Sequence, residues 1–382
     1  VDVVVVGGGV IGLSVARELR RAGVDRVVVL EKEPAVGQGS SSRANGGVRA
    51  QFTTRVNVEF SAFSIAEFER LDWETRLLGF RQTGYLLLAG TEAGERSLRA
   101  GFELQRALAV AVEWLAPAAA LELAPFVRPD GLRAATFHAR DGFLDPHGVV
   151  AALGQDAERL GARIVTGAEV VSIDQVDQAR ALEVATRDRV FRAPWVVNAA
   201  GPAAGVVAAL RSLELPVAPV RRNLAHVHDP AGPAGLTPMV VDLDTGVLVR
   251  GEVGGGYVVA YSDPDDPPGW DTTVDPGFLE ALALRVGNRF PFLEDASVDP
   301  RQCWAGLYPE TPDHHAVVGA VPEVPGFVQC GGFGGHGVMH APAAGRAVAE
   351  LVTLGRCVSF DLHPLRPSRF AEGDLVVETA VL

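Results

Sequence analysis

Short apolar runs broken by glycine set the plan of this chain. Residues 3–6, VVVV, are β-branched and apolar on both faces, the pattern of a strand covered on both sides in a parallel sheet. Residues 10–22 carry apolar side chains at helical spacing, and Gly23 follows as a C-cap. Residues 27–30 predict a second buried strand. Beyond a small, polar loop at 33–48, Thr53 or Thr54 N-caps a long helix to about residue 76. A strand at 84–90 and a helical stretch at 91–126 come next, then a helix at 146–160 closed by Gly161. The stretch ALEVATRDRVFRAPWVVNAAG reads as a hairpin and then a buried strand running into Ala199, Ala200 and Gly201.

Residues 216–300 change character. Segments such as APVRRNLAHVHD, MVVDLDTGVLVRG and GYVVAYSD alternate with turns rich in proline and glycine, including DPDDPPGWD. That pattern predicts antiparallel strands. The first style returns in GFVQCGGFGGHGVMHAPAAGRAVAELVTLG, a strand, a glycine-rich turn and a helix. The expected architecture is therefore α/β, with a discontinuous nucleotide-binding domain at 1–83, 141–213 and 316–382. A second, α+β domain on a mostly antiparallel sheet is inserted at 84–140 and 214–315.

The turn after the first strand bears the chemistry. Gly7, Gly9 and Gly12 stand in G-x-G-x-x-G spacing between strand and helix. Gly7 permits the tight turn, Gly9 lets a pyrophosphate approach the main chain, and Gly12 lets helix and strand pack closely. Glu31 ends the second strand about 20 residues on, where a carboxylate accepts hydrogen bonds from ribose hydroxyls. Motif, helix, second strand and acid in register point to a dinucleotide site rather than an ordinary glycine turn.

Composition narrows the partners. A formal charge of −13 disfavours nucleic acid and anionic membranes. Length predicts about two domains. Cys303, Cys330 and Cys357 are odd in number and lack metal spacing, which fits a reduced, cytoplasmic protein. His314 and His315 follow Asp313 without a visible third ligand, so no metal is expected. Lys32 is the only lysine.

Six segments occur in order and at sensible distances: VVVVGGGVIGLSVARELRRAG, SSSRANGGVRAQF, DGFLDPHGVV, VVNAAGP, WAGLYPETPDHHAVVG and GGFGGHGVMHAPAAG. Together they resemble the D-amino-acid-oxidase-type flavoprotein superfamily. Within it they are most similar to the branch of sarcosine oxidase and proline dehydrogenase β-subunits and dimethylglycine oxidases. The resemblance spans nearly the whole chain and is weakest at 91–130 and 205–300. It implies a Rossmann-like, glutathione-reductase-type domain holding FAD. It also implies oxidation of a C–N bond in a small amino acid or N-alkyl amino acid, such as a sarcosine- or proline-like secondary amine. D-amino acids or glycine are the alternative substrates, and a flavin-bearing assembly subunit without turnover is the alternative of another class. The electron acceptor is oxygen, a quinone or a partner subunit, with a hetero-oligomer or peripheral membrane association through that acceptor as the corollary.

By the same resemblance, the cofactor contacts are Gly7, Gly9, Val10, Ile11, Gly12, Glu31, Lys32, Ser40, Ser41, Ser42, Arg43, Gly46 and Gly47 from the N-terminal half. Val170, Ala199, Ala200, Gly201, Gly306, Gly332, Gly334, Gly335, His336, Gly337, Val338 and Met339 complete them. Arg49 matches the arginine that takes the substrate carboxylate in sarcosine oxidases; a structural salt bridge is its plain alternative. Guanidinium is a charged, bidentate fork suited to that task. Tyr308 stands where glycine-oxidase-like relatives place an arginine, and a phenol there bonds a carboxylate or walls the pocket. His336 is a catalytic candidate or a capping residue, beside main-chain N–H groups that favour an anionic flavin edge. Tyr261 faces the substrate pocket or the far side of the sheet. Met339 replaces a lysine of sarcosine oxidases. Gly306 occupies the position of the cysteine that tethers flavin in some relatives, so FAD is expected to be non-covalent. Oxidases of this branch hold a lysine at the flavin face; Lys32 lies at the adenosine end, which favours a dehydrogenase.

Overall fold

The computed structural model describes residues 1–176, 181–228, 236–263, 265–287, 289–294 and 296–380. Parts of the expected antiparallel region, at 229–235, 264, 288 and 295, lie outside the described residues.

The VVVV run is the centre of a six-stranded sheet. Val3–Val6 pairs in parallel with Val27–Leu30 on one side and Trp195–Asn198 on the other. Phe327–Gly331 and Arg163–Val165 extend the parallel order outward, and Val317–Ala320 adds an antiparallel edge. Alternation along the strands serves two covers. Val3, Val5, Val27 and Val29 pack beneath the helices Val10–Arg21, Arg55–Thr75, Pro146–Arg159 and Gly337–Leu354. Val4, Val6, Val28 and Leu30 point the other way, onto Ile173, Leu182 and Val184 of a three-stranded antiparallel sheet. Burial of both faces explains why these strands are apolar throughout.

A second sheet has eight strands. In spatial order they are Ser297–Glu310, Ala218–His228, Tyr257–Tyr261, Val247–Gly251, Met239–Asp242, Tyr85–Ala89, Ala134–His138 and Glu113–Leu115. All neighbours are antiparallel except Met239–Asp242 with Tyr85–Ala89. Its own apolar cluster includes Leu86, Leu88, Val240, Val249, Val259 and Phe278.

Three local expectations change. The stretch 91–126 is not helical throughout; helices Glu92–Ala107 and Pro117–Leu123 enclose the edge strand Glu113–Leu115. A helical turn, Ser40–Arg43, interrupts the 33–48 loop. Thr54 sits at the N-cap of Arg55–Thr75, but its hydroxyl donates instead to Glu378 Oε2 at 2.7 Å. No helix among the described residues is long and apolar enough to cross a membrane.

Candidate active site

The first, second and fourth strands of the parallel order end side by side, and the chain there is held close by glycine. Gly7 has φ +109°, and a Cβ on it would lie 2.4 Å from Ala199 O. A Cβ on Gly12 would lie 1.9 Å from Gly7 O, so this glycine seats the helix on the strand and does not form the cleft wall. Glu31 is buried, with Oε2 accepting from Gly8 N at 2.7 Å and Oε1 from Glu33 N at 2.9 Å. Each carboxylate oxygen keeps a second lone pair.

Between these strand ends and the second sheet runs a cleft of about 360 Å³. Gly7, Gly9, Val10, Ile11, Glu31 and Lys32 line one end, with Ala199, Ala200 and Gly201 beside them. Ser40, Ser41 and Arg43 line its middle, and Gly306, Gly332, Gly334, Gly335, Gly337 and Val338 the other end. Ser41 Oγ accepts from Val10 N at 3.1 Å, at the start of the first helix. Ser40 donates to Leu307 O at 2.6 Å, and Arg43 Nη1 to Ala305 O at 2.8 Å, stitching the serine turn to the second sheet. Gly332 and Gly334 adopt φ +69° and +50°, a turn that a side chain would strain.

Other expected cofactor residues lie off this wall. Ser42 bonds back to Gly39 O at 3.3 Å. Gly46 is pressed on Leu144 O and Gly47 on Tyr85 Oη, so both serve close chain crossings. Val170 pairs with Thr186 in the three-stranded sheet and packs on the apolar cluster beneath the parallel strands.

A smaller chamber of about 40 Å³ adjoins the cleft; Asn45, Arg222, Leu224, Tyr308 and Gly335 line both spaces. Arg49, Tyr85, Leu248, Ala260, His336 and Met339 also line the chamber. Tyr261 borders it, but its ring stacks on Phe278 under Arg285, on the far side of the sheet, so it is not the pocket-facing residue that the sequence allowed. Arg49 is 1% exposed. Its Nη1 donates to Gln51 O and its Nη2 to Ala380 O, while the guanidinium lies 4.0 Å over the Phe52 ring. No carboxylate among the described residues pairs with it at ion-pair distance. Burial pushes its pKa down, opposed by Tyr85, Glu378 and Asp141. Burial also raises the Tyr308 phenol. The His336 imidazole is held well below its ordinary value by burial and by the Arg49 charge, so it is neutral near pH 7. Tyr308 packs on the backbone at Gly335, where a Cβ would come within 2.6 Å of its ring.

The histidine pair expected to hold no metal is split between two jobs. His315 Nε2 shares a hydrogen bond with Thr54 Oγ1 at 2.8 Å, and His314 Nδ1 with Glu310 at 3.2 Å. Cys303 bonds Asp299 O and lies off the cleft wall. Lys32 is largely exposed against Glu33 at 3.5 Å.

Sequence reasoning missed Arg222, Asn45 and Tyr85. Arg222 stands across from Gly306 in the strand register, donates to Asp266 Oδ2 at 2.9 Å, and lies 5.7 Å from the Tyr308 ring centre. Nothing local marks it, because cross-strand register sets its place.

The family model described as FAD dependent oxidoreductase (DAO) matches residues 2–351. The chain is 32% identical to bovine (Bos taurus) FAD-dependent oxidoreductase domain-containing protein 1, across 100% of this chain and 87% of that protein. Its structure is similar to L-proline dehydrogenase from P. horikoshii, with TM-score 0.91 and 28% identity over 98% of this chain and 99% of that one. It is also similar to glycine oxidase from Geobacillus kaustophilus, with TM-score 0.83 and 29% identity over 96% and 98%. The chain belongs to the DAO family of FAD-dependent oxidoreductases.

Proposed function

We propose that this FAD-dependent oxidoreductase oxidises the C–N bond of a small amino acid or N-alkyl amino acid. One observation carries the reading: a fully buried guanidinium, without a carboxylate partner among the described residues, borders a small chamber beside the cofactor cleft. Two of its five N–H donors are taken by carbonyls, leaving three for a substrate carboxylate. Tyr308 and Met339 limit the room for a side chain. His336 lines the same chamber, and its imidazole, kept neutral by burial and the Arg49 charge, is available there as a hydrogen-bond partner for the substrate amine. FAD, held along the cleft, would supply the hydride acceptor for the carbon next to nitrogen, and the imine left by that oxidation would be hydrolysed by water. We hold the FAD to be dissociable, since Gly306 offers no tethering side chain.

Turnover with an acceptor other than oxygen follows from the lysine count: the single lysine sits at Glu31's neighbour, solvated, away from the chamber. One feature supports the opposing, oxidase reading for glycine or a D-amino acid. Arg222 and Arg49 both line the chamber, and fixed positive charge there favours reduction of oxygen.

Anaerobic addition of sarcosine, L-proline, glycine and D-alanine to the yellow protein tests the activity. Bleaching by one of the secondary amines is expected, and bleaching by none favours an assembly role without turnover. Reoxidation of the reduced protein in air at oxidase-like speed would end the dehydrogenase assignment. Arg49→Ala should raise KM for the active amino acid steeply, equivalent to about 2–5 kcal/mol of binding. An unchanged KM would remove Arg49 from the site.

A further inference from the structure

The segment 374–380 presents an inverted burial pattern. Leu375, Val376 and Val377 are 41%, 43% and 52% exposed, whereas Glu378 is 0% exposed. A glutamate is carried inward while its apolar neighbours stay in solvent, so general packing does not account for it. The segment is anchored where Glu378 N donates to Asp313 O and the buried Arg369–Asp313 pair closes at 2.7 and 2.9 Å.

Inside, the Glu378 carboxylate accepts from Thr53 N at 2.9 Å, Thr54 N at 3.2 Å, Thr54 Oγ1 at 2.7 Å and Asn57 Nδ2 at 3.0 Å, and from Thr53 Oγ1. Two residues on, Ala380 O accepts from Arg49 itself. Asp141 grips the other flank of the same turn, with Oδ1 accepting from Ala50 N at 2.8 Å and Oδ2 from Gln51 Nε2 at 3.2 Å. Two buried carboxylates thus hold the two ends of the 50–54 stretch that follows Arg49, and neither forms an ion pair with it.

We propose that Glu378 is a positioning residue of the substrate site: it pins the 50–54 turn and the tail carbonyl so that the remaining Arg49 donors face the chamber. Its charge offsets the buried guanidinium without consuming those donors, which a direct salt bridge would do. This rests on the reading that Arg49 binds the substrate carboxylate.

The test uses the full-length, FAD-loaded protein and acetate as a carboxylate probe, followed by perturbation of the flavin spectrum. Glu378→Gln should weaken acetate binding about tenfold or more, a change of about 1.4 kcal/mol per decade, while the visible flavin bands persist. A purely structural role, capping the helix Arg55–Thr75, would lower the melting temperature and leave the acetate Kd unmoved; that result overturns the inference. Arg49→Lys separates the two levels. If it weakens acetate and Glu378→Gln does not, only the positioning role fails. If it leaves acetate binding intact, or if the wild-type protein shows no acetate response, the carboxylate reading fails and this inference with it. Should Glu378→Gln not fold, Thr53→Val removes one donor to the same carboxylate; a weaker acetate Kd supports the role and an unchanged one refutes it.

Discussion

Three histidines show how burial, rather than sequence, decides the state of a titrating group. His315, His336 and His340 are each held below the ordinary histidine range, with desolvation the largest cause. His340 is 1% exposed and shares a hydrogen bond with Ser61 Oγ at 2.9 Å. Well above pH 6.5 these imidazoles are neutral whether the chain is folded or not, and they contribute no slope. Below it the unfolded chain takes up protons that the folded one refuses, so stability falls with pH. His340→Gln removes one such site and keeps a partner for Ser61. Denaturant melts between pH 6.5 and 5 should therefore show a slope shallower by up to about 1.4 kcal/mol per pH unit. An unaltered slope would mean that His340 protonates in the folded state. The sequence showed which histidines lie near the glycine turn, but nothing local told that His340 is packed between Phe52 and Phe60.

Two helices, Val10–Arg21 and Gly337–Leu354, begin at the cleft and cross one another behind it. Their crossing is set by a glycine: a Cβ on Gly345 would lie 2.5 Å from Ser14 Oγ and 2.6 Å from Ser14 O. Both helices and the strands before them were readable from spacing, because fully buried parallel strands and amphipathic helices write their periods into the chain. Their contact was not, since it joins residues more than three hundred positions apart. The same limit explains Arg222 and Glu378, whose places depend on strand register and on a tail that returns to the first long helix. Gly345→Ala must part the helices and so shift both N-termini at the cleft. It should cost about 1–3 kcal/mol of stability, the usual price of overpacking, and weaken FAD binding as well. Equilibrium melts and FAD titration of the variant measure the two effects. Lost stability with unchanged FAD affinity would show that the crossing does not set the cleft.

At the scale of the molecule, the cleft is where two sheets with separate apolar cores come together. Gly7, Glu31 and Ala199 come from the parallel sheet, and Arg222, Gly306 and Tyr308 from the antiparallel one. The switch in strand pattern along the chain was visible as a change from continuous apolar runs to proline- and glycine-punctuated alternation. The pairing of Arg222 with Gly306, which sets the antiparallel wall, was not. A ligand lying along this cleft touches both sheets and binds only when both are formed. Its binding free energy therefore adds to the stability of the whole, by about 2.7 kcal/mol at a hundredfold excess over Kd. Stripping FAD should lower Tm, and adding it back should raise Tm with concentration in step with the return of the yellow colour. Glu31→Ala should shrink that shift, because the carboxylate both holds Gly8 and Glu33 in place and faces the cleft. A Tm indifferent to FAD would mean that the cofactor does not span the two sheets, and the placement of Arg49 and His336 beside its reactive end would lose its foundation.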